Sequence, residues 1–236
     1  HYEISFPGRH WKSGRNLRTL PLQDEWTKLK AHYGQFYGWE RPLYFNSPSD
    51  PKLTFEKPTW HDQVGKEVQQ ANKEAAIFDQ STFGKIEVEG KDACKFLNKI
   101  CANQMNCSPG KVIYTSMLNR FGCIESDLTV IRLSENHYRL YVGTNSIRRD
   151  MSWLQRNLER ENIKLTDKTE DFAVIGLMGP KALKIANEIG AKELKELKYF
   201  NCTKTNIAGK DVEAARLSYV GEAGWEITCK KDHAKS

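Results

Sequence analysis

Two strand-like runs, Ile124 to Leu133 and Tyr138 to Val142, are separated by only Ser134-Glu135-Asn136-His137. So short a link reads as a hairpin, which pairs the runs antiparallel. Around it helices and strands are mixed. Lys85 to Glu89 alternates as a half-buried strand, Gly90 turns the chain, and Ala93, Phe96, Leu97 and Ile100 make a helical stripe. Val112 to Met117 reads as a strand, Ile147, Met151, Leu154 and Leu158 mark a helix, and Phe172 to Met178 reads as a buried strand. Gly179-Pro180 then opens a helix, since proline near the first turn loses no needed hydrogen bond. This order predicts an α+β fold with mainly antiparallel sheets and flanking helices, not a doubly wound parallel sheet.

Earlier in the chain, Trp60, Val64, Val68, Ala71, Ala75 and Phe78 recur at three and four residues and predict one helix from Trp60 to Phe78. Residues 1–58 are rich in Pro, Gly, Trp and Tyr, with a possible helix near Leu22 to Ala31. We read 1–58 as a connector that packs on neighbours and 59–236 as the folded domain. The boundary lies at Asn46-Ser47-Pro48-Ser49-Asp50-Pro51, a turn or loop by its own chemistry. The chain lacks an initiator Met and stops within seven residues of its last expected strand, which reads as a piece of a longer protein.

A hydrophobic content of 39% is enough for a core, and no apolar run approaches the roughly twenty residues of a membrane span. The six cysteines form no Cys-x-x-Cys pair, and no His spacing suits a closed zinc site; free thiols and no metal are expected. The net charge of +6 is scattered among acids. It suits an ordinary solvated surface or mild steering of an anionic ligand, and it forms no aromatic-interleaved stripe for nucleic acid.

Two stretches carry possible chemistry. Tyr114 to Val130 reads as a strand, a turn with Asn119 and Gly122, and a returning strand bearing Asp127 between Ile124 and Leu128. Alternation puts Glu125 and Asp127 on one face. If that face is inward, Asp127 is a tunable carboxylate; if outward, it is a solvated or turn-capping acid. The second stretch, Ser218 to Glu226, holds two glycines, Gly221 and Gly224, that permit a tight reversal between strands Val212–Tyr219 and Trp225–Cys229. Tyr219 and Glu226 would then converge on one ligand edge, where a carboxylate accepts parallel bonds from neighbouring N–H donors, as a 2-aminopyrimidinone offers. The alternative is a hairpin with one packing aromatic and an exposed Glu226.

Several segments resemble, in order, landmarks of one family: Gly38 to Phe45, Ala76 to Lys85, Met117 to Leu128, Met178-Gly179-Pro180 and Ser218 to Glu226. They resemble the glycine-cleavage T-protein (aminomethyltransferase) superfamily, in the branch fused behind a flavin-dependent dimethylglycine or sarcosine dehydrogenase. Ser126 before Asp127, where T-proteins often carry a second acid, is closer to that branch. The resemblance implies a T-protein-like folate-binding fold without the family's C-terminal barrel domain. It also implies FAD only in a missing upstream domain, and tetrahydrofolate capturing an oxidised N-methyl group as 5,10-methylenetetrahydrofolate. Asp127 is implied as the catalytic acid/base, and Tyr219 and Glu226 as the residues that grip the pterin. The implied partners are folate, a small intermediate derived from an N-methyl amine, and the flavin domain in cis; the implied location is the mitochondrial matrix or a bacterial cytoplasm. A non-catalytic relative of the same ancestry, such as the pyruvate dehydrogenase phosphatase regulatory subunit, is the other reading.

Overall fold

The computed structural model describes residues 6, 8–46, 53–218 and 221–236. In chain order the elements begin with helix α1 (Gln23–Lys28), strands β1 (Ala31–Phe36) and β2 (Trp39–Phe45), helix α2 (His61–Lys73) and strands β3 (Ala76–Asp79) and β4 (Gly84–Glu89). Helix α3 (Ala93–Ile100) follows, then strands β5 (Val112–Leu118), β6 (Ile124–Ser134) and β7 (His137–Val142), helix α4 (Ile147–Asn157) and strand β8 (Lys164–Asp167). The rest comprises β9 (Phe172–Met178), helix α5 (Ala182–Glu188), β10 (Cys202–Ile207), β11 (Lys210–Ala215) and β12 (Gly224–Lys230).

Strand alternation sends every second side chain to one face, and here both faces of both sheets find a partner. One sheet has the order β5-β6-β7-β4-β8 and the other β10-β11-β12-β9-β3, with every pairing antiparallel. Ile86, Val88, Leu128, Val130 and Leu140 turn outward from the first sheet onto Phe96 and Leu97 of α3 and Leu154 of α4. Leu177, Ala214 and Trp225 turn outward from the second onto Ala182 and Ala186 of α5. The inner faces meet through Val112, Ile131 and Tyr141 on one side and Val174, Ala215 and Leu217 on the other. The result is helices, sheet, sheet, helix, an α+β sandwich with the architecture anticipated from the hairpins.

The gap between the sheets also holds charge. Arg139 donates through Nε and Nη2 to Glu87 Oε1 at 3.1 and 2.8 Å, and through Nη1 to Glu213 on the opposite sheet. Lys85 Nζ donates to the Ser81 carbonyl at 2.7 Å, and burial brings its ammonium down to about 7. Strand β4 is therefore buried on both faces rather than half-buried, because the second sheet closes over its polar side. Glu87, Glu89 and His137 bring ligand atoms within 4.8 Å of one another, but Glu87 is already held by Arg139 through one oxygen, and its other oxygen lies 3.4 Å from His137 Nε2.

Other local expectations need correction. The helix drawn from Trp60 to Phe78 ends at Lys73, and Glu74 leaves helical geometry at φ −125°, ψ −103°. Phe78 instead lies on β3, where pairing with β9 outweighs the helical spacing. The early segment is helical only over Gln23–Lys28. Lys30 turns at φ +57° into the β1–β2 hairpin, which showed no sustained alternation in the sequence. Helix α5 starts at Ala182, two residues after Pro180, and the strand expected over Val212–Tyr219 occupies Lys210–Ala215. Residues 47–52, the turn in the Pro/Ser/Asp loop, lie outside the described residues. The six cysteines are free thiols, and no described helix is long and apolar enough to cross a membrane.

Candidate ligand-binding site

The apolar stripe of α2 does not enter the core: none of its residues is buried, and Val68 is 53% exposed. Its Val64, Val68 and Ala71 instead wall a cavity of about 1450 Å³. The β1–β2 hairpin closes another side through Arg41, Leu43 and Phe45, and Trp26 of α1 is anchored there by its Nε1–H bond to Asp79 Oδ2 at 2.9 Å. The floor is the edge of the sheet sandwich, reached by Phe78, Tyr114, Asp127, Tyr141 and Glu226.

Asp127 comes to this cavity through β6. Ser126 points to the helix side, where its hydroxyl donates to buried Asp150 at 2.8 Å, so the next residue must face the other way. Asp127 is solvent-exposed at the cavity wall, and Tyr114 donates its phenolic hydrogen to Asp127 Oδ2 at 3.0 Å. Of the two faces open to it, the acid thus takes the solvated one, at a ligand-sized opening rather than in a dry core. Glu125 does not accompany it. A bulge between Met117 and Leu118 leaves Glu125 out of register, and it accepts from Asn119 Nδ2 at 2.9 Å. The turn itself is as the sequence suggests: Asn119 Oδ1 accepts from the backbone N–H groups of Phe121 and Cys123, and Gly122 takes φ +75°.

Glu226 arrives from the opposite sheet. On β12 it pairs with Ala215 on one side and Gly176 on the other, and Gly176 in turn pairs with Phe78. Opposed residues share a face, so the missing side chain of Gly176 makes room between Phe78 and Glu226, and Met178 and Gln80 fill it, at 3.1 and 3.2 Å from where a Cβ would sit. Glu226 is 7% exposed, not the solvated acid of a simple hairpin. Burial pushes its carboxyl up to about 7, offset in part by the neighbouring Gln80 amide, and its Oε1 has no hydrogen-bond partner among the described residues. A buried acceptor left unpaired costs about 1–3 kcal/mol, which a donor brought by a ligand would remove.

The reversal before Glu226 is wider than a tight turn. The β11–β12 ladder ends at Ala215 and Glu226; Gly221 has φ +82°, whereas Gly224 already belongs to the strand. Tyr219 lies outside the described residues. The structure therefore brings Asp127 and Glu226 to one cavity. It adds Tyr114 and Gln80, which the sequence did not single out. Tyr114 had a readable signal, since Ser116 pairs with Asp127 and Tyr114 is two residues away on the same face.

An antiparallel α+β sandwich thus opens into a ligand-sized cavity lined by four acids, Glu67, Asp79, Asp127 and Glu226. The GCVT N-terminal domain family matches residues 22–236, and the chain belongs to that family. Aminomethyltransferase of Thermosipho melanesiensis is 30% identical over 218 residues, 92% of this chain and 56% of that protein. Human mitochondrial sarcosine dehydrogenase is 31% identical over 275 residues, 98% of this chain and 30% of that protein. The crystal structure of the glycine cleavage system aminomethyltransferase T from Bartonella henselae has the same fold, with a TM-score of 0.79 at 25% identity over 93% of this chain and 55% of that one. The chain thus spans about half the length of the aminomethyltransferases it matches.

Proposed function

We propose that the cavity is a tetrahydrofolate site and that the chain is the one-carbon-accepting module of a dimethylglycine or sarcosine dehydrogenase-like enzyme. The observation that carries this reading is the buried, unpartnered Oε1 of Glu226, a residue that lines the cavity together with Asp127. A pterin supplies what this oxygen lacks: an amino group and a ring N–H side by side. When bound, tetrahydrofolate supplies nitrogens that take up the one-carbon unit. Glu226 would hold the amino edge of the pterin. Asp127, with Oδ2 fixed by Tyr114, would use Oδ1 to accept a proton from a ligand nitrogen. Tyr219 is assigned to the pterin by family resemblance.

On this reading an FAD-bearing domain upstream in the whole protein oxidises the N-methyl donor, with residues 1–58 leading from it to the folded domain at 59–236. The whole protein would work in a mitochondrial matrix or a bacterial cytoplasm. The similarity to sarcosine dehydrogenase over 98% of this chain supports that placement.

Calorimetric titration with tetrahydrofolate tests the proposal. Glu226→Ala and Asp127→Ala should each weaken binding by roughly 10- to 100-fold, the range for a lost charge-assisted hydrogen bond. Unchanged affinity in both variants would move the chain to a regulatory or assembly role.

A further inference from the structure

Gln80 follows β3, and its backbone N–H donates to Val174 O at 2.9 Å, which fixes the residue against β9. Its side chain lies in the slot left by Gly176: a Cβ on Gly176 would sit 3.2 Å from Gln80 Oε1. Gly176 is also the cross-strand partner of Glu226. The amide therefore fills the space over Gly176 beside the carboxylate, and both residues line the cavity. Gln80 Oε1, like Glu226 Oε1, is buried with no hydrogen-bond partner among the described residues, and of the side-chain atoms in that state these two belong to residues that line the cavity.

One orphaned acceptor calls for one donor; two on neighbouring residues of one cavity wall call for a ligand with donors on neighbouring atoms. We propose that Gln80 is a specificity-determining residue that reads the amino-bearing edge of the bound heterocycle together with Glu226. The inference rests on the folate reading and deepens it, because it says which ligand feature the chain selects. If the Gln80 amide were turned over, its NH₂ would face the ligand and favour an acceptor edge, so the two orientations select opposite ligands. The oxygen-inward orientation selects a 2-amino heterocycle over its 2-desamino counterpart.

The test is calorimetric binding of tetrahydrofolate and 2-desamino-tetrahydrofolate to the wild-type chain, Gln80→Met and Gln80→Asn. The wild type should prefer tetrahydrofolate by about 100-fold or more, since a site built around a donor rejects the analogue lacking it. Gln80→Met, close in shape but without the oxygen, should lose about tenfold of that preference, leaving affinity for the desamino ligand within about twofold. Gln80→Asn, which keeps the amide on a shorter stem, should fall between. Proportional weakening of both ligands in both variants, or an unchanged preference, would overturn the role of Gln80 and leave the folate site standing. Absence of tetrahydrofolate binding to the wild type would overturn both.

Discussion

The same gap between the two sheets holds buried charge in two places, and they are finished differently. Around Arg139 the groups satisfy one another: Glu87 from its own sheet and Glu213 from the other both accept from one guanidinium. Around Gly176 one oxygen each of Glu226 and Gln80, their Oε1 atoms, has no hydrogen-bond donor among the described residues, and both residues line the cavity. Burial alone therefore does not mark a functional acid. The paired cluster joins the sheets, and the unpaired one is, on the proposed reading, completed by a ligand.

Breaking the paired cluster should have the largest effect. Arg139→Leu leaves two carboxylates between the sheets without their cation and should cost about 3–5 kcal/mol, read from denaturant midpoints. Glu226→Gln should act in the opposite direction. Folded Glu226 holds its proton up to about 7 against an ordinary 4.5, so between those values the folded state carries more protons than the unfolded state. Wild-type stability should accordingly fall as pH rises through that window, by roughly 3 kcal/mol at most. Glu226→Gln should flatten this slope, matching the wild type near pH 4.5 and melting higher at pH 8 while losing ligand affinity. A wild-type profile with no such decline would erase the contrast between the two clusters.

Smaller effects sharpen the comparison at the cavity wall. Tyr114→Phe removes the donor that holds Asp127 and should weaken tetrahydrofolate binding by up to about tenfold in calorimetry. Asp127→Asn should shift the denaturation midpoint by no more than about 0.5 kcal/mol, because the side chain is exposed and solvated in the free protein. A large destabilisation there would assign Asp127 to the fold rather than to a ligand.

The sequence carried the architecture where local chemistry and tertiary pairing agree. The β6–β7 hairpin has a short polar turn between apolar runs, and α3 places four buried residues on one face. It was misleading where a regular pattern serves the cavity: the Val64, Val68, Ala71 spacing marks a helix, but the stripe lines an opening, and Phe78 extends it only by coincidence of spacing. Asp127 and Glu226 were legible through family landmarks, but burial and partners come only from the sheet sandwich. Gln80 gave no sign in the sequence, since its place at the cavity wall depends on Gly176, 96 positions later, whose missing side chain makes room for it.

A crystal structure of the chain grown with saturating tetrahydrofolate tests the central claim most directly. The account requires the 2-amino edge of the pterin within hydrogen-bonding distance of Glu226 Oε1, with the ring in the cavity that Asp127 borders. A folate bound elsewhere, or a Glu226 oxygen still without a donor when folate is present, would contradict it.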